Sequence, residues 1–175
     1  VLLGAGADVN KARRDNGVTP LYIASEEGYT KVVKMLLGAG ADVNKAKTDR
    51  GTTPLFIASL EGRTEVVELL LSAGAEVNQA RTDDGVTPLF AASEEGHTKV
   101  VKMLLGAGAD VNKAKTDNGE TPLTISAYAL DDAAALTMVQ MLAMAGANLA
   151  QTNTQGQTAV VIASRNHRLF TAVWL

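Results

Sequence analysis

Side chains that commonly carry catalysis or bind metals are scarce in this chain. Its 175 residues include two histidines and no cysteine, so disulfides, thiol nucleophiles and thiolate metal sites are excluded. His97 follows a turn glycine and is replaced by Tyr29 in a near-identical stretch of the chain, which predicts a packing or capping role. His167 has no second histidine or carboxylate at ligand spacing, and no Ser-His-Asp arrangement is recognisable. We expect no enzyme, no metal and no other cofactor.

A glycine-rich string offers a second kind of chemistry, the binding of a phosphate. GAGADV occurs at residues 4–9, 38–43 and 106–111 and resembles half of a dinucleotide-binding fingerprint. The third glycine is missing and the string follows a predicted helix rather than a strand, so a helix C-cap is the favoured interpretation. We therefore expect no small-molecule substrate.

The charge and hydropathy patterns argue against two further classes of partner. The net charge is −3, and aspartates offset the basic residues of the predicted turns, so nucleic-acid binding is not expected. These basic residues are Arg13, Arg14, Lys47, Arg81 and Lys115. The most apolar stretch, 133–147, contains Thr137 and Gln140, so we expect no direct membrane insertion. The residues leave the cellular location unknown, with the cytoplasm as our expectation.

A repeat must position whatever side chains remain for function. Thr-Pro begins at Thr19, Thr53, Thr87 and Thr121, in steps of 34 residues. The stretch 17–49 matches 85–117 at all but three positions, which indicates duplication of a two-repeat unit. Most of the 16 glycines fall at three recurring points: before Thr-Pro, between the predicted helices and after the second helix.

Each unit is predicted to contain two short helices and a turn. In the first complete unit, Thr19 is a suitable N-cap, Pro20 suits the first helical position, and Gly28 can end the helix. A second helix with an apolar stripe begins near Lys31 and ends at 38–40. An extended segment over 41–45 then leads to a tight turn at 48–51. Because 34 residues are too few to fold alone, the units must stack into a solenoid.

The repeated strings are similar to a known family. TPLYIA at 19–24, TPLFIA at 53–58 and TPLFAA at 87–92 resemble the ankyrin signature T-P-L-H-x-A. The resemblance implies an all-α solenoid of helix-turn-helix repeats with projecting β-hairpin or loop tips, and a concave surface lined by the tips and the first helices. We expect one array over 1–175, with a partial repeat at 1–14, full repeats at 15–48, 49–82 and 83–116, a repeat with an insertion at 117–153, and a partial repeat at 154–175.

Three departures from the family pattern have structural consequences. The family's histidine is replaced by Tyr22, Phe56, Phe90 and Thr124 in successive repeats. The fourth repeat carries a four-residue insertion between its helices, where Asp131 or Asp132 is expected to cap a lengthened second helix that starts near Ala133. The fifth repeat has Thr158-Ala159 instead of Thr-Pro, and His167 stands where the glycine after the first helix belongs.

The resemblance implies recognition of a protein or peptide, and the residues make the expected groove acidic with apolar positions. We predict partner contacts at the tips and at the first helices. They are Asp15, Asn16, Val18, Asp49, Arg50, Thr52, Asp83, Asp84, Val86, Asp117, Asn118 and Glu120 on the tips, and Tyr22, Glu26, Glu27, Phe56, Leu60, Glu61, Phe90, Glu94 and Glu95 on the helices. The expected partner is basic, or mixed basic and apolar. Alternatively, the array is a structural spacer or regulatory segment of a larger protein.

Two sets of residues on the repeat have open interpretations. The aromatic row Tyr22, Phe56 and Phe90 is either mainly buried packing, which is favoured, or a partly exposed apolar strip. The asparagines at Asn44, Asn78 and Asn112 are expected to tie the hairpin backbone together, and the resemblance also makes them candidates for hydroxylation.

On the second helices, charge alternates between repeats, and we interpret this as an aid to register and solubility. These charges are Lys31 and Lys34, then Glu65 and Glu68, then Lys99 and Lys102.

Overall fold

A computed structural model describes residues 7–128, 132–167 and 169–175, apart from the side chains of residues 132, 169 and 170. Within these ranges ten helices follow one another in pairs and no strand occurs. The first helices of the pairs are α1 (Pro20–Glu26), α3 (Pro54–Leu60), α5 (Pro88–Glu94), α7 (Pro122–Ser126) and α9 (Ala159–Arg165). The second helices are α2 (Thr30–Gly38), α4 (Thr64–Ser72), α6 (Thr98–Gly106), α8 (Asp132–Met144) and α10 (Leu169–Trp174).

The first helices begin where threonine and proline are adjacent, as predicted. The Thr19 hydroxyl accepts a hydrogen bond from the backbone N–H of Tyr22 at 3.1 Å, and Thr53 and Thr87 make the same contact in their repeats. This contact satisfies one of the free N–H groups at the helix start, and proline has no N–H to satisfy. Thr158 caps α9 in the same way although alanine follows it. The N-cap threonine is therefore enough to fix the start of the helix.

The second helices bury one side against the first helices. In α4, Val66, Val67 and Leu70 are buried, while Glu65 and Glu68 on the other side are exposed. Helix α8 has 13 residues, against 9 in α2, α4 and α6, which confirms the predicted lengthening. Asp131, one of its two predicted caps, lies outside the described residues.

One continuous core runs through the array. Each first helix packs against the first helix of the next repeat and against its own second helix. Leu21, Leu55, Leu89 and Leu123 occupy the same position in successive repeats, and each is almost completely buried. No repeat forms this core by itself, because each layer is closed by the layers beside it.

The predicted hairpins are hydrogen-bonded turns rather than β-strands. At the tip of the second repeat, the N–H of Lys47 donates to the carbonyl oxygen of Thr52 at 2.9 Å, and Thr48 donates to the Asn16 carbonyl of the preceding tip at 3.0 Å. The last tip closes one residue sooner, between Asn153 and Gln157. This shorter turn and the four-residue insertion together account for the 37 residues from Thr121 to Thr158.

The end of α9 contains a strained residue. His167 has φ +57°, whereas the equivalent positions in earlier repeats are glycines with φ between +65° and +76°. A residue with a Cβ atom pays about 1–2 kcal/mol in this conformation. Glycine removes that strain but loses about 0.5–1 kcal/mol of chain entropy on folding.

Replacing His167 with glycine is expected to raise the free energy of unfolding by about 0.5–1 kcal/mol, the difference between these two effects. The measurement is urea denaturation followed by circular dichroism. His167→Ala is the control, because alanine keeps the strain and should give no such gain. Equal stabilities for the two variants would contradict the interpretation.

Candidate functional site

The predicted contact residues divide into surface and buried groups. Exposed side chains are Asp15, Glu27, Asp49, Arg50, Glu61, Asp83, Glu94, Glu95 and Asp117. Half-buried ones are Asn16, Glu26, Leu60, Asp84, Asn118 and Glu120. The remaining six are buried, and they are Val18, Tyr22, Thr52, Phe56, Val86 and Phe90. Because these six side chains are almost completely covered in the folded array, they do not project from the surface as free anchors for a partner.

The buried tip residues close the array from inside. Val18 packs with Tyr22 and Ile57, and Val86 packs with Phe56 and Phe90. The carbonyl oxygens of Val18 and Val86 accept the backbone hydrogen bonds that close their turns. Their side chains point towards the first helices. The sequence placed these valines on the tips correctly but could not show which way they point.

The aromatic row is packing rather than an exposed strip. The exposed fractions of Tyr22, Phe56 and Phe90 are 5%, 3% and 1%, which settles the two interpretations in favour of burial. Burial raises the pKa of the Tyr22 phenol, whose oxygen is 3.5 Å from the hydroxyl of Thr52. The rings form the floor between the first helices and the tips.

A basic side chain from the following tip covers each ring. The Lys47 ammonium lies 5.5 Å from the centre of the Tyr22 ring, Arg81 lies 6.0 Å from Phe56, and Lys115 lies 5.8 Å from Phe90. These distances suit a cation–π interaction. The array therefore carries one cation over one ring at each of three successive repeat junctions.

The same cations are held from the other side by tip aspartates. Lys47 pairs with Asp49 at 3.3 Å, Arg81 with Asp83 at 2.7 Å, and Lys115 with Asp117 at 3.5 Å. The Arg81 guanidinium holds the pKa of Asp83 at about 2, well below its ordinary value. Each cation is thus engaged by a ring and a carboxylate, and Arg81 and Lys115 also interact electrostatically with Glu94.

The glutamates of the first helices lie where a helix least favours them. Glu26, Glu27, Glu94 and Glu95 stand at the C-terminal ends of α1 and α5, where the helix dipole is negative. Among the ion pairs of the described residues, none joins these four side chains to a cation within 4.0 Å. Burial raises the pKa of Glu94; Glu95, Glu120 and Asp84 raise it further, and Lys115 acts in the opposite direction. This edge is locally unfavourable and negatively charged.

The tips and first helices also enclose a cavity of about 350 Å³. Its apolar lining comes from Tyr22, Phe56, Ile57 and Leu60. Its polar side is formed by Lys47, Asp49, Arg50, Thr52 and Arg81, three of which are basic. We refer to this cavity, the tips and the C-terminal ends of α1, α3 and α5 as the groove. It combines a floor of apolar and basic side chains with an acidic edge.

Comparison with known families agrees with this geometry. A family model described as ankyrin repeats (3 copies) matches residues 1–81, 45–115 and 78–153. The chain is an ankyrin repeat protein. Ankyrin repeats generally mediate interactions between proteins and are typically non-catalytic. A search of curated proteins found no match.

Within the ankyrin array, His97 performs the capping role that the sequence predicted. Its Nε2–H donates to the carbonyl oxygen of Leu60 at 2.9 Å, at the end of the preceding first helix. Arg63, one repeat earlier, donates from Nε to the carbonyl oxygen of Glu26 at 2.9 Å. Arg63 was not predicted to have this role, although it occupies the position equivalent to His97. In the described part of the chain, no cluster of three or more histidine or acidic residues could hold a metal ion.

Replacing His97 with alanine is expected to lower the free energy of unfolding by about 0.5–1.5 kcal/mol, because the carbonyl of Leu60 loses its donor. His97→Arg should retain most of the stability, since Arg63 makes the same contact one ankyrin repeat earlier. Urea denaturation of the three proteins measures the difference. If arginine proves as destabilising as alanine, the hydrogen bond is not the source of the effect.

An asparagine that recurs at one position of the ankyrin repeats ties neighbouring repeats together. The Asn44 side-chain oxygen accepts from the backbone N–H of Glu76 at 2.9 Å, and Asn78 accepts from Asp110 at 2.8 Å. Asn78 also donates from Nδ2 to the carbonyl of Gly108 at 3.2 Å. These contacts support the structural role, but they join the loops after the second helices rather than the hairpin itself.

The alternating charges on the second helices are all exposed. Among the ion pairs found within the described ranges, none connects Lys31 or Lys34 with Glu65 or Glu68. In the same ranges, no helix is long and apolar enough to cross a membrane. The second helices therefore provide a charged surface that is well suited to control substitutions.

Proposed function

We propose that this chain is a non-catalytic interaction module whose groove binds a protein or peptide segment with basic and apolar side chains. The observation that carries the proposal is the acidic edge formed by Glu26, Glu27, Glu94 and Glu95, none of which makes an ion pair within 4.0 Å in the described residues. The exposed and half-buried tip residues named above supply further contacts around it.

The energetics of the acidic edge support this function. A carboxylate at the C-terminal end of a helix costs about 0.3–1 kcal/mol relative to a neutral residue, and neighbouring carboxylates repel each other. These side chains make no ion pair within 4.0 Å in the described structure that would offset this cost. A basic partner would remove the repulsion on binding, and such complementarity favours both fast association and discrimination between partners.

The apolar part of the groove supports a mixed partner rather than a purely basic one. Leu60 is half-buried and packs against both aromatic clusters, Phe56 with Phe90 and Tyr22 with Ile57. Its position corresponds to Glu26 and Glu94 in the adjoining repeats. A partner that crosses the groove therefore passes an apolar position between two acidic ones.

Reversing the charge of Glu26, Glu27, Glu94 and Glu95 to lysine is expected to weaken partner binding at least about tenfold, equivalent to 1.4 kcal/mol. The measurement is affinity capture from the native source with the wild-type and reversed chains, followed by titration of the captured partner. A chain with Glu65→Lys and Glu68→Lys is the control, because these exposed residues lie on α4, outside the groove.

Two results would contradict the proposed function. Unchanged affinity in the groove variant would place the binding surface elsewhere on the array. Failure of the wild-type chain to retain any partner would favour the alternative, a structural spacer or regulatory segment of a larger protein.

A further inference from the structure

The three central repeats present a charge pattern along the groove that is not uniform. Glu26-Glu27 on α1 and Glu94-Glu95 on α5 form two acidic pairs, and the equivalent pair between them is Leu60-Glu61. Glu61 has a basic neighbour, Arg63, whose guanidinium lies 4.0 Å away. The negative potential is therefore concentrated at two places, with a weaker, apolar position between them.

Three cations of the groove are already engaged by other groups, although Arg81 and Lys115 also interact electrostatically with Glu94. Lys47, Arg81 and Lys115 each lie over a buried ring and against a tip aspartate. A cation held in this way is not free to swing over and neutralise a glutamate without giving up both contacts. The two acidic pairs consequently remain available to an external cation.

The middle of the groove has room for an apolar side chain. The cavity of about 350 Å³ has an apolar part, lined by Leu60 together with Tyr22, Phe56 and Ile57, and a polar part that includes Lys47, Arg50 and Arg81. Covering apolar surface of a leucine-sized side chain against the apolar part is favourable by about 25 cal/mol for each Å² removed from water. The cavity thus lies beside the end of α3, where Leu60 takes the place of the glutamate found at the ends of α1 and α5.

The distance between the acidic pairs sets the length of a matching segment. Packed helices lie about 8–10 Å apart, so α1 and α5, separated by α3, are about 16–20 Å apart. An extended chain advances about 3.3 Å per residue. Five or six residues of extended chain therefore span the gap between the two pairs.

From this pattern we propose, on the basis of the function proposed above, that the groove binds an extended segment of a protein partner with two basic clusters about five or six residues apart. An apolar side chain midway between the clusters enters the cavity beside Leu60. One cluster pairs with Glu26 and Glu27, and the other with Glu94 and Glu95. The array therefore distinguishes partners by the spacing between their two basic clusters as well as by their positive charge.

Synthetic peptides test the spacing directly. The probe is a fluorescein-labelled peptide with two lysine pairs separated by Ser-Ser-Leu-Ser-Ser. Binding is followed by fluorescence anisotropy at about 0.15 M salt, where charges more than about 8 Å apart are largely screened but direct ion pairs are retained. A peptide of equal charge with only leucine between the lysine pairs should bind about tenfold more weakly, because it engages one acidic pair. A peptide with serine in place of the central leucine should also lose about tenfold in affinity.

Matched variants of the whole chain identify the site. Two double variants each remove one acidic pair: Glu26→Gln with Glu27→Gln, and Glu94→Gln with Glu95→Gln. Each should lower the affinity for the peptide with the long spacer, so that it binds no more tightly than the peptide with the short spacer. Glu65→Gln with Glu68→Gln on α4 should leave both affinities unchanged. Leu60→Glu should remove the preference for the central leucine.

A melting curve shows that these variants fold. Because each glutamine pair removes repulsion at a helix C-terminus, Tm should rise by about 1–3 °C. A fall in Tm would contradict the unfavourable acidic edge on which the inference depends.

The inference and the proposed function fail in different ways. Equal affinity for the two spacings, or for the leucine and serine peptides, would overturn the inference. The proposed function would survive that result if the partner captured by the wild-type chain is still lost on reversal of Glu26, Glu27, Glu94 and Glu95. Retention of that partner by the reversed chain would overturn the proposed function itself.

Discussion

Replacing Ile57 with alanine is expected to lower the free energy of unfolding by about 2–4 kcal/mol. The Ile57 side chain is 6% exposed and packs against Val18 and Tyr22 of the preceding repeat. Truncation removes buried methyl groups and leaves a cavity between two stacked layers. Equilibrium urea denaturation, followed by circular dichroism, measures the loss.

The control for Ile57 is the equivalent isoleucine of the preceding repeat. Ile23 lies in TPLYIAS and Ile57 in TPLFIAS, so their local sequences differ only by one aromatic residue. The Ile23 side chain, however, is 43% exposed, and Ile23→Ala should cost about 1 kcal/mol or less, as expected of a surface residue. Equal losses at the two positions would show that stacking between repeats does not determine the effect.

Replacing Gly51 with alanine is expected to lower the free energy of unfolding by about 2–4 kcal/mol. Gly51 has φ +67°, which costs an alanine about 1 kcal/mol or more. Its Cβ atom would also lie 2.6 Å from Cγ2 of Thr82 on the next tip, and overpacking of this kind costs about 1–3 kcal/mol. The same urea titration serves as the measurement.

Two controls separate the contributions at Gly51. Gly74 has φ +85° and nothing within 4 Å of the added Cβ, so Gly74→Ala reports the backbone strain alone and should cost less. Thr82→Ser removes the clashing methyl group, so Gly51→Ala should be better tolerated in that background. If serine gives no relief, the close approach between tips is not the cause of the destabilisation.

The starts and ends of the helices were predictable from the residues. The first helix of the first complete repeat was expected to begin at Pro20 and to stop at Gly28, and it spans Pro20–Glu26. The second helix was expected from about Lys31 and begins at Thr30. Caps, proline and glycine act within one turn of a helix, so a single repeat contains all the information that they need.

The tips were only partly predictable. The turn itself was expected, but it is held by hydrogen bonds such as Thr82 N–H to the Arg50 carbonyl oxygen at 2.9 Å. That bond joins one tip to the tip before it and gives no strand. Likewise, Thr52 and Val86 were predicted as contact residues but are buried, because the following layer covers the inner side of each tip.

The sequence by itself determined that this protein is a repeat of capped helix pairs and that its tips and first-helix ends are acidic. The tertiary structure alone decided which equivalent side chains are covered, which cations are already engaged and where the cavity lies. Ile23 and Ile57 show the reason, since nearly identical local sequences give 43% and 6% exposure. Caps and periodicity act over a few residues, whereas burial depends on what stacks against each layer.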